Sequence, residues 1–222
     1  MLRREMKYVD LSHVIRNGTV TYPGLPAPVI SDHLSREASK DRYATGTTFQ
    51  IAKVEMVGNT GTYVDAPSHR YENGPDLAEL QLSRLANVPG LVVDGAGGRR
   101  ALDKTIFRSL NVRGKAVLIR TGWSSHFGTP AYGSGHPFLT SDAASQLVEG
   151  GAALVGIDSL NIDDVATGER PVHSMMLAAN IPIVEHLTNL EALPDDGFRF
   201  FAVPPKFVGM GSFPVRAFAI LM

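Results

Sequence analysis

The chain has 222 residues, about 1.5 typical domains, and a formal net charge of −1 from 21 basic and 22 acidic residues. Binding to nucleic-acid phosphates requires an excess of basic residues, so this balance excludes a nucleic-acid-binding protein. A content of 44% hydrophobic and 19% charged residues excludes disorder for the bulk of the chain. The absence of cysteine excludes disulfides, thiolate metal sites and cysteine nucleophiles, so any metal ion must be bound by nitrogen and oxygen.

The N-terminal segment predicts no export signal. Residues 1–10 (MLRREMKYVD) contain basic residues, but no apolar run follows them. No stretch approaches the ~18 apolar residues of a membrane span. We therefore expect a cytoplasmic protein. Because neither an internal repeat nor a linker interrupts the sequence, residues 1–222 are predicted to form a single domain.

Predicted strands and helices alternate along the chain. Residues 6–11 predict a short strand, and residues 48–57 show the period-2 alternation of a half-buried strand. Apolar runs that suit further strands lie at 90–94, 115–121, 153–158, 181–185, 198–203 and 215–221. Helices are predicted at 104–110, 142–149 and 171–179, from capping residues and Pro171. This pattern predicts an α/β domain with a mixed sheet.

Residues 59–69 (NTGTYVDAPSH) carry the densest set of reactive side chains. Pro67 disfavours a helix at the preceding residue, so the segment is extended or turning. Alternate residues of an extended segment share a face, which groups four side chains: Asn59, Tyr63, Asp65 and His69. An ideal strand would hold residues 65 and 69 roughly 13 Å apart, so the segment must curl for them to share a site.

Two later residues can join this set. His173 lies near the start of the helix predicted after Pro171, and Glu185 ends the strand predicted at 181–185. An unpaired carboxylate at the end of a buried strand costs several kcal/mol. Binding a metal ion removes that cost, and so does a buried salt bridge. The polar stretch 158–164 resembles a calcium loop in composition but lacks its glycine and distal glutamate, and we interpret it as a strand-end loop.

These residues resemble the motifs of the metal-dependent cyclase/hydrolase family, which includes bacterial kynurenine formamidase and isatin hydrolase. The family signature is H-x-G-T-H-x-D-x-P-x-H, and residues 59–69 follow it at most positions. Supporting matches occur in order at 22–24 (YPG), 136–137 (HP), 156–159 (GIDS), His173 and 181–185 (IPIVE). The resemblance implies a swivelling β/β/α, cyclase-like fold and assembly as a homodimer or homotetramer. It also implies hydrolysis of a small-molecule amide or cyclic amide.

The resemblance further implies roles for individual residues. Asp65 and Glu185 match carboxylates that are shared between two metal ions, and His173 matches a histidine on the second ion. His69 matches the catalytic proton donor and acceptor. Tyr22 lies where the formamidases place a tryptophan that contacts the substrate.

The chain departs from the signature at two histidines that hold the first metal ion, which are Asn59 and Tyr63 here. Asparagine offers a weak carbonyl oxygen, and tyrosine binds metal well only as phenolate. The remaining ligand set is rich in oxygen: Asp65, His173, Glu185 and Asn59. Oxygen ligands suit Mn²⁺ or Mg²⁺ better than Zn²⁺. We predict one divalent ion, Mn²⁺ or Zn²⁺, rather than a dinuclear zinc centre.

The mechanistic hypothesis is attack of metal-activated water on an amide or lactam carbonyl. His69 would act as general acid and base, and the Tyr63 hydroxyl would donate to the oxyanion. Tyr22 and Phe49 are predicted to contact a flat substrate, with Trp123 as a further candidate. Core packing is the alternative interpretation of Phe49 and Trp123.

Two other functions stay open. A non-catalytic ligand-binding or assembly protein on this scaffold would also lack the two histidines, although the retained carboxylates and histidines are costly to keep without use. A metal-free cyclase or hydratase that uses His69 would be insensitive to chelators. Among the other histidines, His13, His33 and His126 are predicted at the surface. His186 would point away from Glu185 if the strand continued, and a supporting role for it is left open.

Overall fold

A computed structural model describes residues 6–221. The prediction that no export signal is present depends partly on residues 1–5, which lie outside the described residues. Within residues 6–221, no helix combines the length and apolarity that a membrane crossing requires.

The described chain contains strands in three sheets and few α-helices. In chain order, the strands are β1 (Lys7–Asp10), β2 (Val29–Leu34), β3 (Ile51–Glu55), β4 (Tyr63–Asp65), β5 (Val88–Asp94), β6 (Ala101–Leu102), β7 (Ala116–Arg120), β8 (Phe138–Leu139), β9 (Leu154–Ile157), β10 (Ile183–Glu185), β11 (Phe198–Phe201), β12 (Ser212–Pro214) and β13 (Phe218–Leu221). The α-helices are α1 (Arg36–Ser39), α2 (Ser141–Gly150) and α3 (Pro171–Ala178).

Nine strands form one mixed sheet in the order β1-β13-β11-β5-β7-β9-β10-β4-β12. The four central strands β5, β7, β9 and β10 are parallel, and the flanking strands pair antiparallel. Side chains of β5 alternate between two cores: Val92 packs with Phe198 and Phe200, whereas Leu91 and Val93 face the layer of α2 and α3. Burial on both faces explains why the parallel strands are continuous apolar runs.

The predicted α/β class with a mixed sheet is confirmed, and each predicted strand is present within a few residues of its expected bounds. The helices predicted at 142–149 and 171–179 are α2 and α3. The helix predicted at 104–110 is shorter, a 3₁₀ turn over Lys104–Phe107. Asp103 caps this turn by accepting from the backbone nitrogen of Thr105, as its position predicts.

The prediction that residues 48–57 form a half-buried strand is wrong about burial. The strand β3 is exposed at every position. It pairs only with β2, and this two-stranded ribbon lies outside the nine-stranded sheet. Neither face of β3 therefore meets a core, and its alternation of apolar and polar residues does not reflect burial.

Candidate active site

The signature segment crosses the sheet and then turns sharply. Strand β4 lies between β10 and β12, and the 3₁₀ turn Pro67–His69 follows it after one residue. This turn brings Nε2 of His69 to 3.9 Å from Oδ1 of Asp65. The curl that the sequence required is therefore present, and both side chains belong to one site.

Ser212 connects these two side chains, and the sequence analysis missed it. It pairs with Asp65 across β12 and β4, donates its hydroxyl hydrogen to Oδ1 of Asp65, and lies 2.9 Å from Nδ1 of His69. A carboxylate can only accept, so the hydroxyl hydrogen is used by Asp65 and Nδ1–H of His69 must be the donor to Ser212. This tautomer leaves the Nε2 lone pair of His69 available as a base. Gly211 permits the approach, because a Cβ there would lie 2.5 Å from backbone atoms of His69.

Glu185 and Tyr63 face each other in adjacent strands. The Tyr63 hydroxyl donates to Oε2 of Glu185 at 2.6 Å, and the backbone nitrogen of Ile162 donates to Oε1 at 2.7 Å. Burial, together with the charges of Glu185 and Asp65, raises the pKa of Tyr63 well above its ordinary value. Tyr63 is therefore a neutral phenol whose proton is shared with Glu185. Asn59 acts in the opposite direction and lowers the pKa of Tyr63.

His173 is held by Asp163, a second residue that the sequence analysis did not assign to the site. Nδ1 of His173 lies 2.7 Å from Oδ2 of Asp163. The same carboxylate accepts from the backbone nitrogens of Val172 and His173 at the start of α3. Residues 158–164 form the predicted strand-end loop after β9, and Asp163 of this loop holds the ring of His173. A carboxylate that accepts a hydrogen bond from one ring nitrogen of a histidine orients the ring and leaves the other nitrogen available to bind a metal ion.

Two buried carboxylates lie near the ring of His173. Nε2 of His173 lies 3.6 Å from Oδ2 of Asp65 and 3.7 Å from Oε1 of Glu185. These separations are too long for hydrogen bonds, and Oδ2 of Asp65 is buried without a hydrogen-bond partner. Two ligands about 2.1 Å from one cation at a tetrahedral angle stand about 3.4 Å apart. Each of these two separations therefore fits a pair of ligands on one cation better than a direct salt bridge.

The electrostatics of the site also favour a cation. Burial opposes the charge of His173, but Glu185, Asp163 and Asp65 outweigh it and raise the pKa of His173 to about 10. Burial raises the pKa of Glu185 to about 7, and repulsion from Asp65 acts in the same direction. The positive charge of His173 opposes this rise. The buried carboxylates thus demand a positive charge at this point. A ring nitrogen of His69 also lies within 4.8 Å of the ligand atoms of Asp65 and His173.

A cavity of about 390 Å³ opens onto these groups. Tyr22 lines it, and its contact with a substrate stays a prediction. Its lining further includes Pro23, Gly24, Leu25, Asn59, Tyr63, His69, Asn161, His173 and Glu185. Phe49 is not part of this lining. It is 52% exposed and packs edge-on against Tyr43 at 4.9 Å, and its contact with substrate stays a prediction. The ring N–H of Trp123 instead donates to the carbonyl of Tyr132.

Two histidines differ from their predicted environments. His13 is half-buried rather than exposed: its ring stacks on Phe127 at 3.7 Å, and burial lowers its pKa to about 4. Strand β10 ends at Glu185, so the premise that it continues through His186 is wrong. His186 instead adopts a φ of 55° and is fully buried, with Nδ1 2.8 Å from the hydroxyl of Tyr132. Burial lowers the pKa of His186 to about 3.

The fold and these side chains define an α/β protein with a buried site of carboxylates and histidines beneath an open cavity. A sequence model of the family described as "Putative cyclase" matches residues 9–164. The chain belongs to this cyclase family.

Individual relatives match nearly the whole chain. The kynurenine formamidase of Bacillus cereus is 27% identical over 212 residues, which cover 95% of this chain and 96% of that protein. A solved structure described as a potential metal-dependent hydrolase with cyclase activity has a TM-score of 0.79 and 25% identity, over 97% of this chain and 98% of the other. An isatin hydrolase bound to the product analogue thioisatinate has a TM-score of 0.83 over 98% and 93% of the two chains. At 22% identity, this last likeness is one of fold.

Proposed function

We propose that this chain is a metal-dependent hydrolase that cleaves a carbon–nitrogen bond, other than a peptide bond, in a small amide or cyclic amide. The main observation in support is that Nε2 of His173 lies 3.6 Å from a carboxylate oxygen of Asp65 and 3.7 Å from one of Glu185, spacings that suit metal ligands. In addition, Oδ2 of Asp65 is buried without a hydrogen-bond partner. The similarity to kynurenine formamidase over nearly the full length of both chains supports the choice of bond.

The proposed site holds one divalent ion, Mn²⁺ or Zn²⁺. Asp65, His173 and Glu185 would bind it, with the side-chain oxygen of Asn59 as a further ligand. A second ion is disfavoured because Tyr63 stands where the signature has a histidine ligand, and its hydroxyl donates to Glu185. When bound, the ion supplies positive charge that polarises a carbonyl and acidifies water.

The protein's own groups then move the proton. His69 takes a proton from water on Nε2 and returns it to the leaving nitrogen, because Ser212 keeps its Nδ1 protonated. Tyr22 forms part of the wall against which the substrate lies. Donation from Tyr63 to the oxyanion would require its hydroxyl to turn away from Glu185, and it stays a prediction. So do a single domain, assembly as a homodimer or homotetramer, and location in the cytoplasm.

Metal content is the first test. The protein is purified without chelator or affinity metal, and Mn and Zn are measured by elemental mass spectrometry alongside hydrolysis of formanilide and of cyclic imides. We expect about one ion per chain and loss of hydrolysis on treatment with chelator. Two fully occupied zinc ions would refute the single-ion site. Hydrolysis that survives complete metal removal would instead favour a metal-free enzyme, and absence of binding after soaking in Mn²⁺ and Zn²⁺ would favour a non-catalytic protein.

The role of His69 is tested separately. His69→Gln should lower kcat on the order of 100-fold while the metal content stays unchanged. His33→Gln, at an exposed histidine outside the cavity, is the matched control and should retain wild-type values. Loss of the metal ion together with activity in His69→Gln would make His69 a ligand rather than a proton carrier.

A further inference from the structure

A second, smaller cavity adjoins the candidate active site. Its volume is about 110 Å³, and its lining residues are His69, Arg70, Asn161, Arg170 and His173. It shares His69, Asn161 and His173 with the larger cavity, so the two spaces meet at the reactive groups. Its volume is less than a third of that of the larger cavity, so it suits a compact group.

Both arginines of this cavity are held in place. Arg70 directly follows His69, and its Nε donates to Oγ of Ser174 at 3.2 Å. Arg170 immediately precedes α3, and its Nη1 donates to three backbone carbonyls of the preceding loop at 2.7 to 3.2 Å. Each guanidinium is thus anchored through one nitrogen and keeps other N–H groups for a further partner.

Among residues 6–221, neither guanidinium forms a salt bridge with a carboxylate. Within residues 6–221, the arginines that pair with a carboxylate within 4.0 Å are Arg100, Arg120 and Arg216. Arg70 and Arg170 therefore place two positive charges on one small cavity without such a partner. Like charges at close range repel, and an anion between them replaces repulsion with attraction. The planar guanidinium fork matches a carboxylate in particular.

We propose that this cavity is a subsite for a carboxylate carried by the substrate. The substrate class is then an amide or lactam with an acidic group a few atoms from the bond that is cleaved. The amide occupies the larger cavity beside His69 and His173, and the carboxylate is bound by Arg70 and Arg170. The proposal rests on the proposed function, because it assigns the substrate of the same site.

The test compares two formamides that differ only in a carboxylate, N-formylanthranilate and formanilide. The wild-type protein should prefer N-formylanthranilate. Arg70→Gln should lower the ratio of kcat/KM for N-formylanthranilate to kcat/KM for formanilide about tenfold. This loss lies at the lower end of the range expected for hydrogen bonds to a charged group, because Arg70 is exposed. Arg36→Gln, at an exposed arginine on α1, is the matched control and should leave this ratio unchanged.

Binding of anthranilate to the metal-loaded protein separates failure of the subsite from failure of the enzyme. Calorimetric titration should show weaker binding to Arg70→Gln than to the wild type and to Arg36→Gln, whether or not hydrolysis occurs. Hydrolysis of neither formamide would count against the proposed function, whereas this binding difference would still support the subsite. Equal binding by all three proteins, or equal losses on both formamides in Arg70→Gln, would overturn the subsite.

Discussion

Replacing Asp163 by asparagine tests whether His173 is a metal ligand held by a carboxylate. Oδ1 of Asp163 accepts from the backbone nitrogen of Val172 at 2.8 Å, and Oδ2 accepts from the backbone nitrogen of His173 at 3.0 Å and from its Nδ1 at 2.7 Å. An asparagine whose oxygen takes the Oδ2 position keeps the two bonds to His173. Its amide nitrogen then faces the N–H of Val172, and that bond is lost.

The expected magnitude follows from these contacts. Loss of one backbone hydrogen bond costs about 1 kcal/mol, and the bond to Nδ1 weakens by about 1 kcal/mol as its acceptor becomes neutral. The free energy of unfolding of the metal-free protein should therefore fall by about 2 kcal/mol. Metal affinity should fall about 10- to 100-fold, because the carboxylate no longer fixes and polarises the imidazole.

Calorimetric titration of Mn²⁺ and Zn²⁺ into metal-free wild type and Asp163→Asn measures this loss of affinity. Asp164→Asn is a matched control, since the Asp164 carboxylate accepts from Ala166 and Arg100. A folded Asp163→Asn protein that binds both ions within about twofold of the wild type would refute the assignment of His173 as a ligand held by Asp163.

Three further predictions concern neighbouring groups. Ser212→Ala removes the acceptor for Nδ1 of His69 and should lower kcat roughly 10- to 100-fold at unchanged metal content. Ser212→Thr, which keeps the hydroxyl, should recover the wild-type kcat. An unchanged kcat in Ser212→Ala would contradict the assigned tautomer of His69. Tyr63→Phe leaves Oε2 of Glu185 without its donor and should lower the free energy of unfolding by about 1–3 kcal/mol in denaturant titrations of the metal-free protein. His186 has a folded-state pKa of about 3 against 6.5 when unfolded, so the unfolded chain binds the proton first and stability is lost as pH falls below 6.5. Between pH 7 and pH 5 the wild type should therefore lose about 2 kcal/mol more stability than His186→Gln does.

The sequence by itself predicted the elements whose patterns are local. The parallel strands β5, β7 and β9 are recognisable because burial on both faces requires uninterrupted apolar residues. Helix α3 is recognisable from Pro171 at its start. The signature segment 59–69 also identified Asp65 and His69, because residue type and spacing are properties of the chain itself.

Only the tertiary structure decided how these residues are held. Ser212 lies 147 positions from Asp65, and it reaches that carboxylate because β12 pairs with β4 in one particular register. No local pattern specifies which strands become neighbours or in what register. The same limit applies to β3, whose alternation predicts burial although the strand pairs outside the main sheet. Phe49 likewise has an aromatic side chain suited to a flat substrate, but in the folded chain it is exposed and does not line the cavity.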